Sequence, residues 1–136
     1  MSNITTITLS GMNAATRRLG VSASNVANAM STGALSNADG MVPPGEPTTY
    51  EPLEVVQTAS AGGGTQTTVT TTTPSTTTAY DPQAPFANQN GLVAAPNVDL
   101  SQEMVDQMIA SYSFAANATV MTADGRMTST LLNIVA

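Results

Sequence analysis

The sequence predicts a mainly α fold in which long N- and C-terminal helices pair as an antiparallel coiled coil. An extended, β-hairpin middle segment rich in proline and threonine joins them. Three observations lead there. All eight prolines of the 136 residues lie between Thr32 and Pro96; both flanks carry apolar residues at three- and four-residue spacing; and β-branched residues crowd the middle. Proline breaks helices and the 3–4 spacing builds them, so the chain divides into residues 1–31, 32–97 and 98–136.

In the first part Leu9, Met12, Thr16, Leu19, Ala23, Val26 and Met30 form a stripe with spacings of three and four. Six of the seven are apolar, which is the seam of a heptad repeat. A helix is expected from about Ile4 to Met30. It is expected to stop at Ser31-Thr32-Gly33, where glycine can take a left-handed cap. Arg17 and Arg18 lie off the seam and stay wettable. Asn25 and Asn28 flank it, either fixing helix register or simply facing water.

The middle contains Tyr50–Gln57 and Thr65–Tyr80, β-branched stretches on either side of Ala61-Gly62-Gly63-Gly64. They suit a hairpin, with Pro52 and Pro74 confined to edges or irregular pairing; a solvated threonine linker is the alternative. Asp81-Pro82-Gln83-Ala84-Pro85 reads as a rigid connector. In the last part Val105, Ile109, Tyr112, Ala116, Val120, Ala123, Met127, Leu131 and Ile134 form a second stripe, all apolar. Asp99 with Gln102 resembles a capping box, and Glu103 suits the early turns electrostatically. Gly125 marks a possible bend. Covering the two stripes with each other is the simplest way to bury them.

Composition removes most chemistry. The chain has no Cys or His and only three positive side chains, Arg17, Arg18 and Arg126, with a net charge of -6. Imidazole, thiolate and Schiff-base lysine catalysis are therefore excluded, as are His/Cys metal sites. Nucleic acid and anionic lipid are excluded as partners, because nothing neutralises their phosphates. Asp99, Glu103 and Asp106 share a helical face and suggest an acid–base pair or a hard-cation site. Decoration of a helix start explains them more simply, so no catalytic residue, metal or cofactor is assigned. The Gly62–Gly64 run lacks the lysine and helix of a phosphate loop. Met104, Met108, Met121 and Met127 suit either a binding groove or ordinary helix packing. The start of the chain lacks the pattern of a cleavable signal peptide, and no apolar run approaches the roughly 20 residues that span a bilayer, so no direct membrane insertion is expected. Leu, Ile, Val and Phe supply only 25 residues, below the roughly one-fifth a self-sufficient core requires. The composition suits a chain that completes its core on neighbours.

Particular residues add a resemblance. Ser10-Gly11-Met12-Asn13-Ala14 and Leu19-Gly20-Val21-Ser22-Ala23-Ser24-Asn25-Val26-Ala27-Asn28-Ala29 resemble the N-terminal S-N-x-A-N signature of bacterial flagellar rod and hook proteins. Tyr80-Asp81-Pro82, Pro85 to Val93, Pro96-Asn97-Val98-Asp99, Glu103 to Asp106, Ala110 to Asn117 and Leu131 to Ile134 resemble the short proximal rod members. The Thr65–Thr78 tract, the absence of lysine and Asp124-Gly125 depart from that pattern. The resemblance implies a structural subunit, not an enzyme, of the proximal rod of the flagellar basal body. It implies a homo-oligomer within a hetero-oligomeric, tubular rod that carries motor torque across the periplasm. The terminal helices would form an axial coiled-coil layer through the two stripes, with the middle segment packed outward. Implied partners are other proximal rod proteins, the distal rod protein, a membrane-ring or export-gate adaptor, and the flagellar type III export apparatus. Another short rod subunit is the nearest alternative; a secreted, Thr-rich structural spacer would not need two terminal stripes.

Overall fold

The computed structural model describes residues 3–37 and 39–135, with Val135 described by its backbone alone. Met1, Ser2 and Ala136, which the expected outer segments include, lie outside the described residues, as does Ala38 in the middle. The order of elements is α1 (Asn3–Asn28), β1 (Leu53–Ala59), β2 (Thr65–Thr71), β3 (Thr76–Tyr80), β4 (Leu92–Pro96) and α2 (Leu100–Val135).

The expectation of a mainly α fold is overturned. The two terminal helices are present, but four antiparallel strands in two small sheets make the fold mixed α/β. The reason lies in the middle segment. Val55, Val56 and Val69 with a run of threonines favour pleated backbone, and paired strands satisfy N–H and C=O groups that a loop would leave to water. β1 pairs with β2 from Leu53↔Thr71 to Ala59↔Thr65. The glycines close this hairpin: Gly63 and Gly64 take φ of 86° and 83°, a region that costs other residues energy. β3 pairs with β4 from Thr76↔Pro96 to Tyr80↔Leu92. The Thr65–Tyr80 stretch is thus two strands, divided around Pro74. The β4 segment, short and alanine-rich, gave no strand signal in the sequence.

α1 stops at Asn28, before the expected Met30. The backbone N–H and hydroxyl of Ser31 both donate to the Asn28 carbonyl, at 3.0 and 2.8 Å. Gly33 is not a left-handed cap. It exchanges two 2.9 Å backbone hydrogen bonds with Ala94 on the open edge of β4. A Cβ there would lie 2.7 Å from the Pro47 carbonyl oxygen, so glycine serves close approach. α2 starts as expected: the Asp99 carboxylate accepts from the backbone N–H groups of Ser101 at 2.9 Å and Gln102 at 3.2 Å. The Gln102 amide donates onward to Asp106 at 3.2 Å instead of closing a capping box. The helix continues through Gly125 without interruption.

α1 packs against α2 and also against β1 and β2. Among the described residues six hydrophobic ones are buried, and five of these are alanines: Ala14, Ala15, Ala34, Ala94 and Ala110, joined by Val93. The chain places its small residues inside and its large apolar residues outside.

Candidate assembly surface

α1 presents three strips, each offset by one residue and therefore by about 100° around the helix. Ile7, Ser10, Arg17 and Ser24 face the middle segment. Ser10 Oγ accepts from the Thr65 N–H at 3.1 Å, Arg17 donates to the Thr67 carbonyl at 3.3 Å, Ser24 Oγ lies 3.1 Å from the Tyr50 hydroxyl, and Ile7 touches the turn at Gly63. One residue on, Thr8, Gly11, Ala15, Arg18, Ser22 and Asn25 form the strip along α2; all are buried or half-buried. One residue further, Leu9, Met12, Thr16, Leu19, Ala23 and Val26 face outward. Hairpin, partner helix and solvent thus each take chiefly one strip, and Asn25 reaches both helix and hairpin.

The antiparallel register of the helix pair is set by polar contacts. Thr5 donates to the Asp124 carboxylate at 3.1 Å, and the Asn117 side chain lies over Gly11, where a Cβ would come within 2.6 Å of its Oδ1. At the other end the Ser22 hydroxyl donates to the Glu103 carbonyl at 3.0 Å. Small residues at these positions let the helices approach closely, and the hydroxyl and amide groups hold them in register.

Asn25 joins all three layers. Its amide Nδ2 donates to the Leu53 carbonyl at 2.8 Å and to Glu103 Oε1 at 2.6 Å. Its Oδ1 accepts from the Leu53 N–H and the Tyr50 hydroxyl, both at 3.0 Å. The side chain therefore pairs with both backbone groups of Leu53, as a neighbouring strand would, while holding α2 by its first turn. It is 2% exposed with four partners, the full hydrogen-bonding capacity of an amide. Asn28 differs: half-buried, it donates to the Ser24 carbonyl one turn back.

The sequence-predicted stripe residues lie elsewhere. In the single chain Leu9, Leu19, Ala23, Val26 and Met30 are exposed and Met12 is half-buried, as Thr16 on the same stripe is exposed. On α2, Val105, Ile109, Tyr112, Ala116, Val120, Ala123, Met127, Leu131 and Ile134 are all exposed. The helices thus do not cover each other's stripes. On α1 the stripe follows the pairing strip by one residue; on α2 it precedes the strip of Glu103, Asp106, Ala110 and Asn117. In an antiparallel pair these opposite offsets turn the stripes to opposite sides. Thr16 and Leu19 accordingly share a groove with Ser111 and Phe114, not with Ile109 or Tyr112. The sequence assigns no helix-pairing role to Thr8, Gly11, Ala15, Ser22, Ala110 and Asn117, although Gly11, Ser22, Ala110 and Asn117 lie in the stretches that carry the resemblance; their signal is a 3–4 repeat of small residues beside the large one.

Asp99, Glu103 and Asp106 each have structural roles, as helix cap, partner of Asn25 and acceptor from Gln102. No group of three or more acidic residues among the described residues is placed to hold a metal ion. Met121 is half-buried, whereas Met104, Met108 and Met127 are exposed. Asp39-Gly40 sits in a turn in which Gly40 donates to the Asn37 carbonyl at 2.8 Å.

The chain that builds this helix pair has sequence relatives among flagellar rod proteins. Residues 89–134, from the approach to β4 through α2, match the family model described as flagellar basal body rod FlgEFG protein C-terminal. Over 119 residues the chain is 37% identical to the flagellar basal-body rod protein FlgC of Salmonella typhimurium, covering 88% of this chain and 86% of that one. It is 35% identical over the same span to FlgC of Escherichia coli O157:H7, and 46% identical over 55 residues, 40% of this chain and 37% of the relative, to FlgC of Bacillus subtilis. The chain belongs to the FlgC family of flagellar basal-body rod proteins.

Proposed function

We propose that this chain is a structural subunit of the proximal rod of the bacterial flagellum, polymerising into a helical tube that transmits motor torque across the periplasm. One observation supports this most directly: both helices leave their large apolar residues exposed, on opposite sides of the pair. A surface of this extent is a docking surface, since isolated soluble chains seldom leave such patches open. Faces on opposite sides pack head to tail, which builds an open helical array instead of a closed dimer.

In this reading residues 1–31 and 98–136 form the axial helical layer, and residues 32–97 pack outward against neighbouring subunits. Leu9, Met12, Leu19, Ala23, Val26 and Met30 of the first stripe, and the α2 stripe from Val105 to Ile134, are the assembly contacts. Each large side chain that a neighbour covers contributes about 1.5–3 kcal/mol. Many modest contacts repeated by symmetry then add up to torsional stiffness. The partners are further copies, other proximal rod proteins, the distal rod protein and the adaptor at the membrane ring. Export runs through the flagellar type III apparatus.

The test is quantitative mass spectrometry of purified basal bodies stripped of filament. The wild-type chain is retained, whereas the exposed-face double variant Leu19→Asp/Ile109→Asp, with wild-type helicity in solution, falls at least tenfold. A wild-type chain absent from intact basal bodies refutes the reading.

A further inference from the structure

Among the described residues, the register of the helix pair leaves one end of α2 alone. Thr5 bonds Asp124 and Gly11 lies under Asn117, so residue numbers on facing turns add to about the same total and Asn3 stands near Gly125. From Met127 to Val135 no described residue of α1 runs alongside, an overhang about 13 Å long. It carries Met127, Leu131, Leu132 and Ile134, with Leu131 64%, Leu132 67% and Ile134 75% exposed. Leu131 and Leu132 point about 100° apart, so one flat face cannot cover both. They need a concave site. The segment also has no charged residue beyond Arg126.

Such a site exists on the same chain. Ala15, Thr16 and Leu19 of α1 and Ala110, Ser111 and Phe114 of α2 line an open, almost wholly apolar groove of about 240 Å³. None of the six lining residues is charged, so an uncharged apolar helix end enters without desolvating an ion. The overhang cannot fold back into its own groove. Leu131 follows Ser111 by twenty residues on one uninterrupted helix, which holds them about 30 Å apart.

We propose that the overhang of α2 seats its Leu131–Leu132 knob in the Leu19–Phe114 groove of a second copy. The contact rests on the assembly reading above and specifies it: overhang and groove are different surfaces, so the interface is heterologous and propagates.

The natural absence of cysteine makes the test direct. Full-length Ser111→Cys and Leu131→Cys variants, both at exposed positions, are mixed in equal amounts with diamide. Intact mass distinguishes the three possible disulfide dimers, and sedimentation velocity of the wild type runs in parallel. The expected result is a Ser111→Cys/Leu131→Cys heterodimer at least tenfold above either homodimer. A statistical mixture, or a dominant Leu131→Cys homodimer from overhangs pairing with each other, overturns the docking while an associating wild type keeps the assembly reading. A wild type that remains monomeric at every concentration, with no heterodimer, overturns both.

Discussion

Replacing Asn25 with alanine removes, in one step, the connection between α1, β1 and the first turn of α2. The Leu53 N–H and C=O lose partners at 3.0 and 2.8 Å, and Glu103 Oε1 loses one at 2.6 Å. The Tyr50 hydroxyl keeps Ser24 and adds little. A buried polar group without a partner costs about 1–3 kcal/mol. Leu53 and Glu103 are only half-buried and border a cleft of about 360 Å³, so water reaches them and the lower end applies. At about 1 kcal/mol for each lost bond the sum is about 2–3 kcal/mol. For a chain of this length that lowers Tm by about 7–10 °C. Asn28→Ala is the matched control. It loses a single bond within one turn of helix, and alanine's better helix propensity offsets it, so stability stays within about 0.5 kcal/mol. The assay is thermal melting of the dilute full-length chain by far-UV circular dichroism, with urea midpoints as a check. If Asn25→Ala melts within about 2 °C of wild type, or no lower than Asn28→Ala, the argument that one amide ties the layers together fails.

The glycines give two sharper contrasts. Gly20→Ala meets nothing within 4 Å, so the usual helix preference for alanine raises stability by about 0.5–1 kcal/mol. Gly11→Ala pushes against Asn117 and lowers it by about 1 kcal/mol by separating the helices; equal effects in denaturant titrations count against the close-packed seam. Gly33→Ala meets backbone that cannot give way. It breaks the two bonds to Ala94 at a cost of about 2 kcal/mol, seen as faster amide exchange at Ala94; unchanged exchange there refutes that role.

The sequence by itself determined the terminal helices. Proline confined to the middle and the 3–4 apolar spacing place α1 and α2 within a few residues of their ends, because these are local properties of backbone and side-chain pitch. It also determined which chemistries are absent, since side-chain inventory does not depend on folding. Only the tertiary structure decided which strip of each helix turns inward. Strips one residue apart, such as Thr8–Gly11–Ala15 and Leu9–Met12–Thr16, share the same period, so periodicity cannot choose between them. The large stripe draws attention by hydrophobicity, but small residues win within the chain because they allow close approach and bring hydroxyl and amide groups into bonding range. The mixed α/β class was likewise decided at long range. Whether threonine-rich backbone pairs depends on partners such as β4 and on the side chain of Asn25, which stands 28 residues before the Leu53 backbone it holds.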